Sequence, residues 1–175
     1  KCSKMMQSII NNPKPVIAEV GGVATAAGCQ LVASCDLAYA NNSAKFATPG
    51  VNIGLFCSTP MVAISRNISN KHSMEMLLTG ELISSEKAAK IGLINEVSHE
   101  DKLKDFVLNK ALKISKKSAI TLKIGKQAFY KQIDMKLSDA YNYASKVMVE
   151  NMLKLDAKEG IDAFINKRKP SWKDK

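Results

Sequence analysis

The chain is poor in the residues that most metal and nucleophile chemistry uses. It has two histidines and four cysteines in 175 residues. Cys2, Cys29, Cys35 and Cys57 show no C-x-x-C spacing, which argues against zinc, and no metal site is expected. A chain of this length builds a core without disulfides, so a reducing compartment fits, with Cys29 and Cys35 as buried free thiols. Arginine occurs only at positions 66 and 168, and aromatic residues make up 6%. That scarcity removes the arginine-rich, aromatic-interleaved surface of a nucleic-acid binder. No apolar run reaches the ~18–20 residues that cross a bilayer. The N-terminal KCSKMMQSIINNPKP is too polar for a signal-peptide core. It starts mid-pattern without an initiator Met, so a fragment or processed form is expected.

Charge of one sign is what the chain has in excess. The net charge is +10, and residues 101–175 hold 18 Lys/Arg against 9 Asp/Glu. These lysines fall at helical spacing, which reads as a solvated helix surface, with an anionic phosphate ligand as the alternative. Carboxylates are scarce where the chain is richest in small residues. In GGVATAAGCQLVASC, residues 21–35, there is none, and Asp36 is the only one between residues 20 and 74. A strand over 16–20 ends there at Gly21-Gly22, and a helix of small residues starts near Ala26. The first amides of a helix have no partner inside it, and small side chains leave them open to a carbonyl oxygen or an anion.

The remaining pattern alternates strand and helix up to about residue 97 and is then helical. Residues 2–11 read as a helix, 36–40 and 44–47 as strands, and 51–59 as a loop. Pro60 reads as the first residue of a helix over 60–67. A helix over 70–78 ends at Thr79-Gly80, and Ser84 caps the next. Residues 91–97 turn into one more strand. Helices follow over about 99–115, 118–132, 136–153 and 156–166. Met5, Met6, Met61, Met74, Met76, Met148 and Met152 read as core and subunit-contact filling.

KPVIAEVGGVATAAGCQLVASCDLAYA, then FATPGVNIGLF, MLLTGELISSEKAAKIGLINEV and FINKRKPSW form an ordered set that resembles the crotonase (enoyl-CoA hydratase/isomerase) family from about residue 13 to the end. The resemblance implies an α/β fold: the C-terminal portion of a crotonase-type spiral of ββα units, followed by an all-helical trimerisation region. Residues 1–97 would be the partial spiral, lacking its N-terminal third, and 98–175 the helical region. It further implies an acyl-CoA thioester ligand, with coenzyme A as part of the substrate and no separate cofactor. A homotrimer or dimer of trimers and mitochondrial localisation also follow from it.

Site residues carry over by position. The family holds the thioester oxygen with two backbone amides. Ala27, flanked by Ala26 and Gly28, stands where one is given, and the other belongs to the missing N-terminal segment. Two glutamates deliver water in hydratases, and here Gln30 and Gly50 occupy their positions. A glutamine hydrogen-bonds but does not exchange a proton near neutral pH, and a glycine has no side chain. Ordinary enoyl-CoA hydration is therefore not expected. Phe56 and Cys57 match the acyl-pocket loop, with Ser58 and Thr59 beside them. Phe164 and Lys167, flanked by Lys169 and Trp172, match positions that meet the adenine of coenzyme A. Asp36 reads as a structural hydrogen-bonding residue, and His72 and His99 as surface residues.

Three readings remain open on the sequence. The chain carries out another acyl-CoA reaction through an oxyanion pocket, or binds acyl-CoA without turnover, or is a structural fragment with an uncovered edge. For a binding-only relative, restoring Gln30→Glu with Gly50→Glu is expected to create some hydratase activity.

Overall fold

The computed structural model describes all 175 residues. Pro13 and Pro15 force an extended entry into β1, Ile17–Val20, and a second strand, β2 at Val23–Thr25, follows directly. α2, Ala27–Ser34, completes the unit, preceded in the chain by α1, Cys2–Ile10. The same strand–strand–helix order then repeats. β3 is Leu37–Asn41, β4 is Lys45–Ala47, and α3 is Ser58–Ile64 after a 3-10 turn at Pro49–Ile53. Equivalent strands of the two repeats pair in parallel, Ile17 opposite Leu37 in one sheet and Val23 opposite Lys45 in the other. That stacking of repeats is the spiral of a crotonase-type α/β fold.

α4, Asn70–Thr79, ends at Gly80 in the left-handed region, φ 65°, where glycine carries no Cβ penalty. β5, Ile83–Ser84, runs antiparallel to β4 and closes the order β2-β4-β5. The Ser84 hydroxyl accepts the Lys87 N–H at 3.2 Å and caps α5, Ser85–Lys90, as the sequence indicates. β6, Glu96–Ser98, joins β3 to give β1-β3-β6. The core between these layers centres on the fully buried Phe46, Ile64, Met76 and Cys29, with the small Ala40, Ala44 and Ala88 letting backbones approach. Truncating Ile64 or Phe46 would open a cavity, a change that costs roughly 2–5 kcal/mol.

The chain divides into two compact units, residues 1–10 with 16–111, and residues 11–15 with 112–175. The first runs past the last strand because α6, Leu103–Ser115, seats Leu103 and Val107 on Tyr39. Phe106 meets the Tyr39 ring edge-on at 5.4 Å, and Lys110 lies over both rings while bonding Glu96 at 3.0 Å. The second unit is built on α7, Ala119–Gln132, α8, Leu137–Met152, and α9, Leu155–Ile165.

Several sequence readings need correction. β2 and β5 were not expected, being too short to show a period of two. Residues 51–59 are not one loop, since the Pro49–Ile53 turn and the start of α3 take part of it. α3 starts at Ser58, so Pro60 is its third residue. It is tolerated there because the first-turn N–H groups have no intrahelical partner. Residues 99–115 resolve into a 3-10 turn, Glu100–Lys102, and α6. Cys35 is half-buried, its thiol turned back to the Leu31 carbonyl. The methionine reading stands uncorrected: Met6 and Met76 are core, and Met5, Met74, Met148 and Met152 are exposed in the single chain, as subunit-contact residues are.

Candidate functional site

The β2–α2 turn is the one strained point in the first unit among non-glycine residues. Ala26 sits at φ 47°, ψ −112°, a conformation that costs an L-residue about 1–3 kcal/mol. The fold fixes it from both sides. Its N–H donates to the Ala47 carbonyl of β4 at 3.0 Å, and its carbonyl accepts the Gln30 N–H at 2.9 Å. The latter is the first intrahelical bond of α2, so the amides of Ala27, Gly28 and Cys29 lie ahead of it. A Cβ added at Gly28 would approach nothing closer than the Ala24 Cβ at 4.0 Å, so that glycine keeps the backbone open without being forced by packing.

One turn on, Gln30 is 5% exposed, and its Oε1 accepts the Cys2 thiol of α1 at 3.7 Å. It lines a cavity of about 290 Å³ between α1, α2 and α3, together with Met6, Ile10, Ser34, Thr59 and Arg66. Of the positions named from the sequence, Gln30 and Thr59 border this cavity. Ala26, Ala27, Gly28, Gly50, Phe56 and Cys57 do not line it.

Gly50 is a different case from Gln30. Its carbonyl accepts the Leu55 N–H at 2.9 Å, and Gly54 at φ 74° turns the chain back over it. A Cβ there would run into the Leu55 carbonyl oxygen and come within 2.9 Å of the Cys57 Sγ. Position 50 thus lacks the space for a side chain as well as the side chain. The return of a glutamate at that position meets backbone, which weighs against the expectation that the double restoration creates some hydratase activity. Nothing in the local sequence signals the contact, which depends on how residues 50–57 fold back. Phe56 is 44% exposed and Cys57 is buried. Burial, reinforced by the neighbouring Cys57, pushes the Cys29 thiol up to about 12, so it is no thiolate at neutral pH.

The other candidates are structural, as read. The Asp36 Oδ2 accepts the Val16 N–H at 2.6 Å and ties the entry of β1 to β3. His72 stands 3.5 Å from Glu75 on a surface helix, and exposed His99 pairs with Asp101. No three or more His, Cys, Asp or Glu side chains gather into a metal-ligand set.

In the second unit Phe164 is 84% exposed at the end of α9. Lys167 follows at φ 51°, a left-handed position that glycine fills at lower cost. The Arg168 N–H to the Ala163 carbonyl, 3.0 Å, closes the helix end around it. The tail then straps back over α9. Arg168 forks onto Glu159 at 2.6 and 2.8 Å, and Ser171 N–H donates to Glu159 at 2.7 Å. The Trp172 ring lies against Gly160, and its indole N–H donates to the Lys116 carbonyl at 2.8 Å. Asp156, 1% exposed, receives the N–H groups of Lys173 and Asp174 at 2.7 and 3.1 Å.

This strap is expected to be acid-labile. The Arg168 guanidinium, with the Ser171 N–H, holds Glu159 at about 2, below its ordinary 4.5. Burial pushes Asp156 up, but the Ser118 hydroxyl and the two tail amides outweigh it and leave the carboxyl below its usual range. Both groups have depressed folded values, so their stabilisation is present above the unfolded value and is lost as pH falls. Trp172 is the only tryptophan, and its emission should change as pH drops from about 4.5 towards 2. A strap that loosens above pH 5 (roughly the ordinary carboxylate limit), or an unchanged emission at pH 2, would contradict this.

A family model described as "Enoyl-CoA hydratase/isomerase" matches residues 1–175. "Enoyl-CoA hydratase domain-containing protein 3, mitochondrial" of Rattus norvegicus is 52% identical over 171 residues, covering 98% of this chain and 57% of that protein. The Homo sapiens protein of the same name is 51% identical over 171 residues, with 98% and 56% covered. The human protein's crystal structure superposes with a TM-score of 0.96 at 51% identity, covering 98% of this chain and 68% of that one. A Mycobacterium smegmatis enoyl-CoA hydratase structure gives 0.96 at 47% identity, with 98% and 66% covered. The chain therefore spans less than three fifths of the length of these curated relatives.

Proposed function

The chain belongs to the enoyl-CoA hydratase/isomerase family and has the crotonase fold, and from that premise we propose that it binds an acyl-CoA thioester without acting as an ordinary hydratase. It is a mitochondrial protein, as its relatives at about 52% identity are. The β2–α2 turn carries the reading. The strained Ala26 presents the Ala27 amide ahead of the first helical bond, as half of an oxyanion hole for the thioester oxygen. Ala26 and Gly28 keep that backbone bare. The cavity beside Gln30 takes the acyl group, its volume suiting a short to medium chain. Phe56 and Cys57, which match the acyl-pocket loop of the family, lie outside the lining of that cavity, and Thr59 from the same stretch lies within it. Phe164 and Lys167 match the positions that meet the adenine end of coenzyme A in the family, often from a neighbouring subunit, and the cost of the left-handed Lys167 backbone fits a side chain kept for a ligand.

Residues 1–97 form the spiral part and 98–175 the oligomerisation part of the protein, a homotrimer or dimer of trimers. The exposed Leu137, Tyr141, Met148, Val149 and Met152 of α8 support that assignment, since such a stripe marks a surface meant to be covered. Nucleic acid is not among the partners. The blocked position 50 favours binding without hydration over an altered hydration mechanism. Its acyl-CoA ligand places the protein in fatty-acid or other acyl-CoA metabolism.

Calorimetric titration with butyryl-CoA and with free coenzyme A tests the proposal. The thioester is expected to bind more tightly than free coenzyme A. Ala27→Pro deletes the amide at a first helical position that proline suits, and is expected to erase that difference. Equal affinity for both ligands in the parent protein would sink the oxyanion assignment.

A further inference from the structure

The strap in the second unit sorts its charges in an uneven way. Every carboxylate near it is engaged within the strap, though Asp156 and Asp174, bonded to neutral N–H groups, keep their charge. Asp156 is buried under the tail amides, Glu159 and Asp162 share Arg168, and Asp174 caps the Ala119 N–H at 2.7 Å. The lysines are not spent. Lys116, Lys117, Lys169, Lys173 and Lys175 are all exposed, and none forms an ion pair. They come from two separate stretches of sequence. The Trp172 indole bond to the Lys116 carbonyl and the Ala119 N–H bond to Asp174 bring those stretches together.

The result is a local excess of positive charge: five exposed lysines and Arg168 on joined segments, against the carboxylates of Asp156, Glu159, Asp162 and Asp174, with Glu159 and Lys173 interacting electrostatically. From it we propose that the strap face is a docking surface for an anionic phospholipid bilayer. The residue type supports that partner. Lysines are compact point charges on flexible stems, suited to a diffuse field of headgroups, whereas arginine forks suit a single phosphate held bidentately. The one arginine in the strap is already committed to Glu159 and Asp162. Aromatic platforms for stacked bases are absent from the cluster, since Trp172 is turned onto Gly160 and Lys116. Each lysine near an anionic surface strengthens adsorption about fivefold at moderate salt, so five act together well above a single contact. The strap also holds the tail backbone in place, so little ordering remains to be done at docking. Lys169 and Trp172 also flank Phe164 and Lys167, so the coenzyme A arm of the flotation test is what separates lipid docking from that assignment.

Flotation of the full protein with phosphatidylcholine vesicles, with and without cardiolipin, tests the proposal. Binding is expected only with cardiolipin, and is expected to weaken steeply with salt. Lys169→Glu with Lys173→Glu and Lys175→Glu should lower partitioning by roughly a hundredfold or more, while Trp172 emission stays at the parent value because only side-chain charges change. Reversal of Lys4, Lys71 and Lys90, exposed in the first unit, serves as the charge-matched control. An equal loss from the control would overturn the proposal as mere net charge. Displacement of the protein from vesicles by coenzyme A would also overturn it, by assigning the patch to a soluble phosphate ligand.

Discussion

Crotonyl-CoA incubated with the protein is expected to keep its conjugated-enoyl absorbance, with hydration slower than in a two-glutamate relative by on the order of 10²–10⁴-fold for each missing acid–base group. The argument rests on what stands at the two positions. The Gln30 side chain is buried and accepts a thiol hydrogen, and an amide has no proton to exchange near neutral pH. Gly50 offers nothing. The buried Cys29 thiol, beside Gln30 in the sequence, is pushed up to about 12 and is not available as a base. An oxyanion amide alone lowers the charge cost at the thioester oxygen but does not deliver water to the β-carbon. Gln30→Glu supplies one group in a cavity, where burial raises a carboxyl's pKa towards the range useful for proton transfer. That single variant should keep its fold and gain a small rate. Loss of the absorbance at the rate of an ordinary hydratase in the parent protein would show that the chemistry runs through another group.

The elements were legible where a single residue decides them. Ser84 capping α5 and Gly80 ending α4 each follow from local chemistry. Gln30 and Gly50 stood out in the sequence only as departures from the family resemblance, by position. β2 and β5 were not legible, since strands of three and two residues exist only through their partners in β4. The strap was not legible either. Its anchors join Lys116 to Trp172 and Asp156 to Lys173, separations that no local pattern encodes. Position 50 shows the same limit at short range. A glycine there reads from sequence as a deleted glutamate, and only the return of residues 50–57 shows that the space went with it.

That lost space sets the second large effect. Gly50→Ala places a Cβ against the Leu55 carbonyl oxygen and 2.9 Å from the Cys57 Sγ. The thiol has some freedom, but the carbonyl belongs to a segment whose own N–H is bonded to Gly50. The Pro49–Ile53 turn would have to shift as a whole. Overpacking of this kind costs about 1–3 kcal/mol, so Gly50→Ala should lower the urea midpoint with the slope unchanged. Gly50→Glu should cost more, because it adds a carboxylate beside buried Cys57 with no cation to pair it. Gln30→Glu with Gly50→Glu is therefore expected to fall below Gln30→Glu alone in both stability and hydration rate, the opposite of what restoring two catalytic groups would give. The order of the three variants is the deciding measurement. If the double variant were as stable as the parent and faster than the single one, the segment over Gly50 would open at little cost, and the block at position 50 would reduce to a missing side chain.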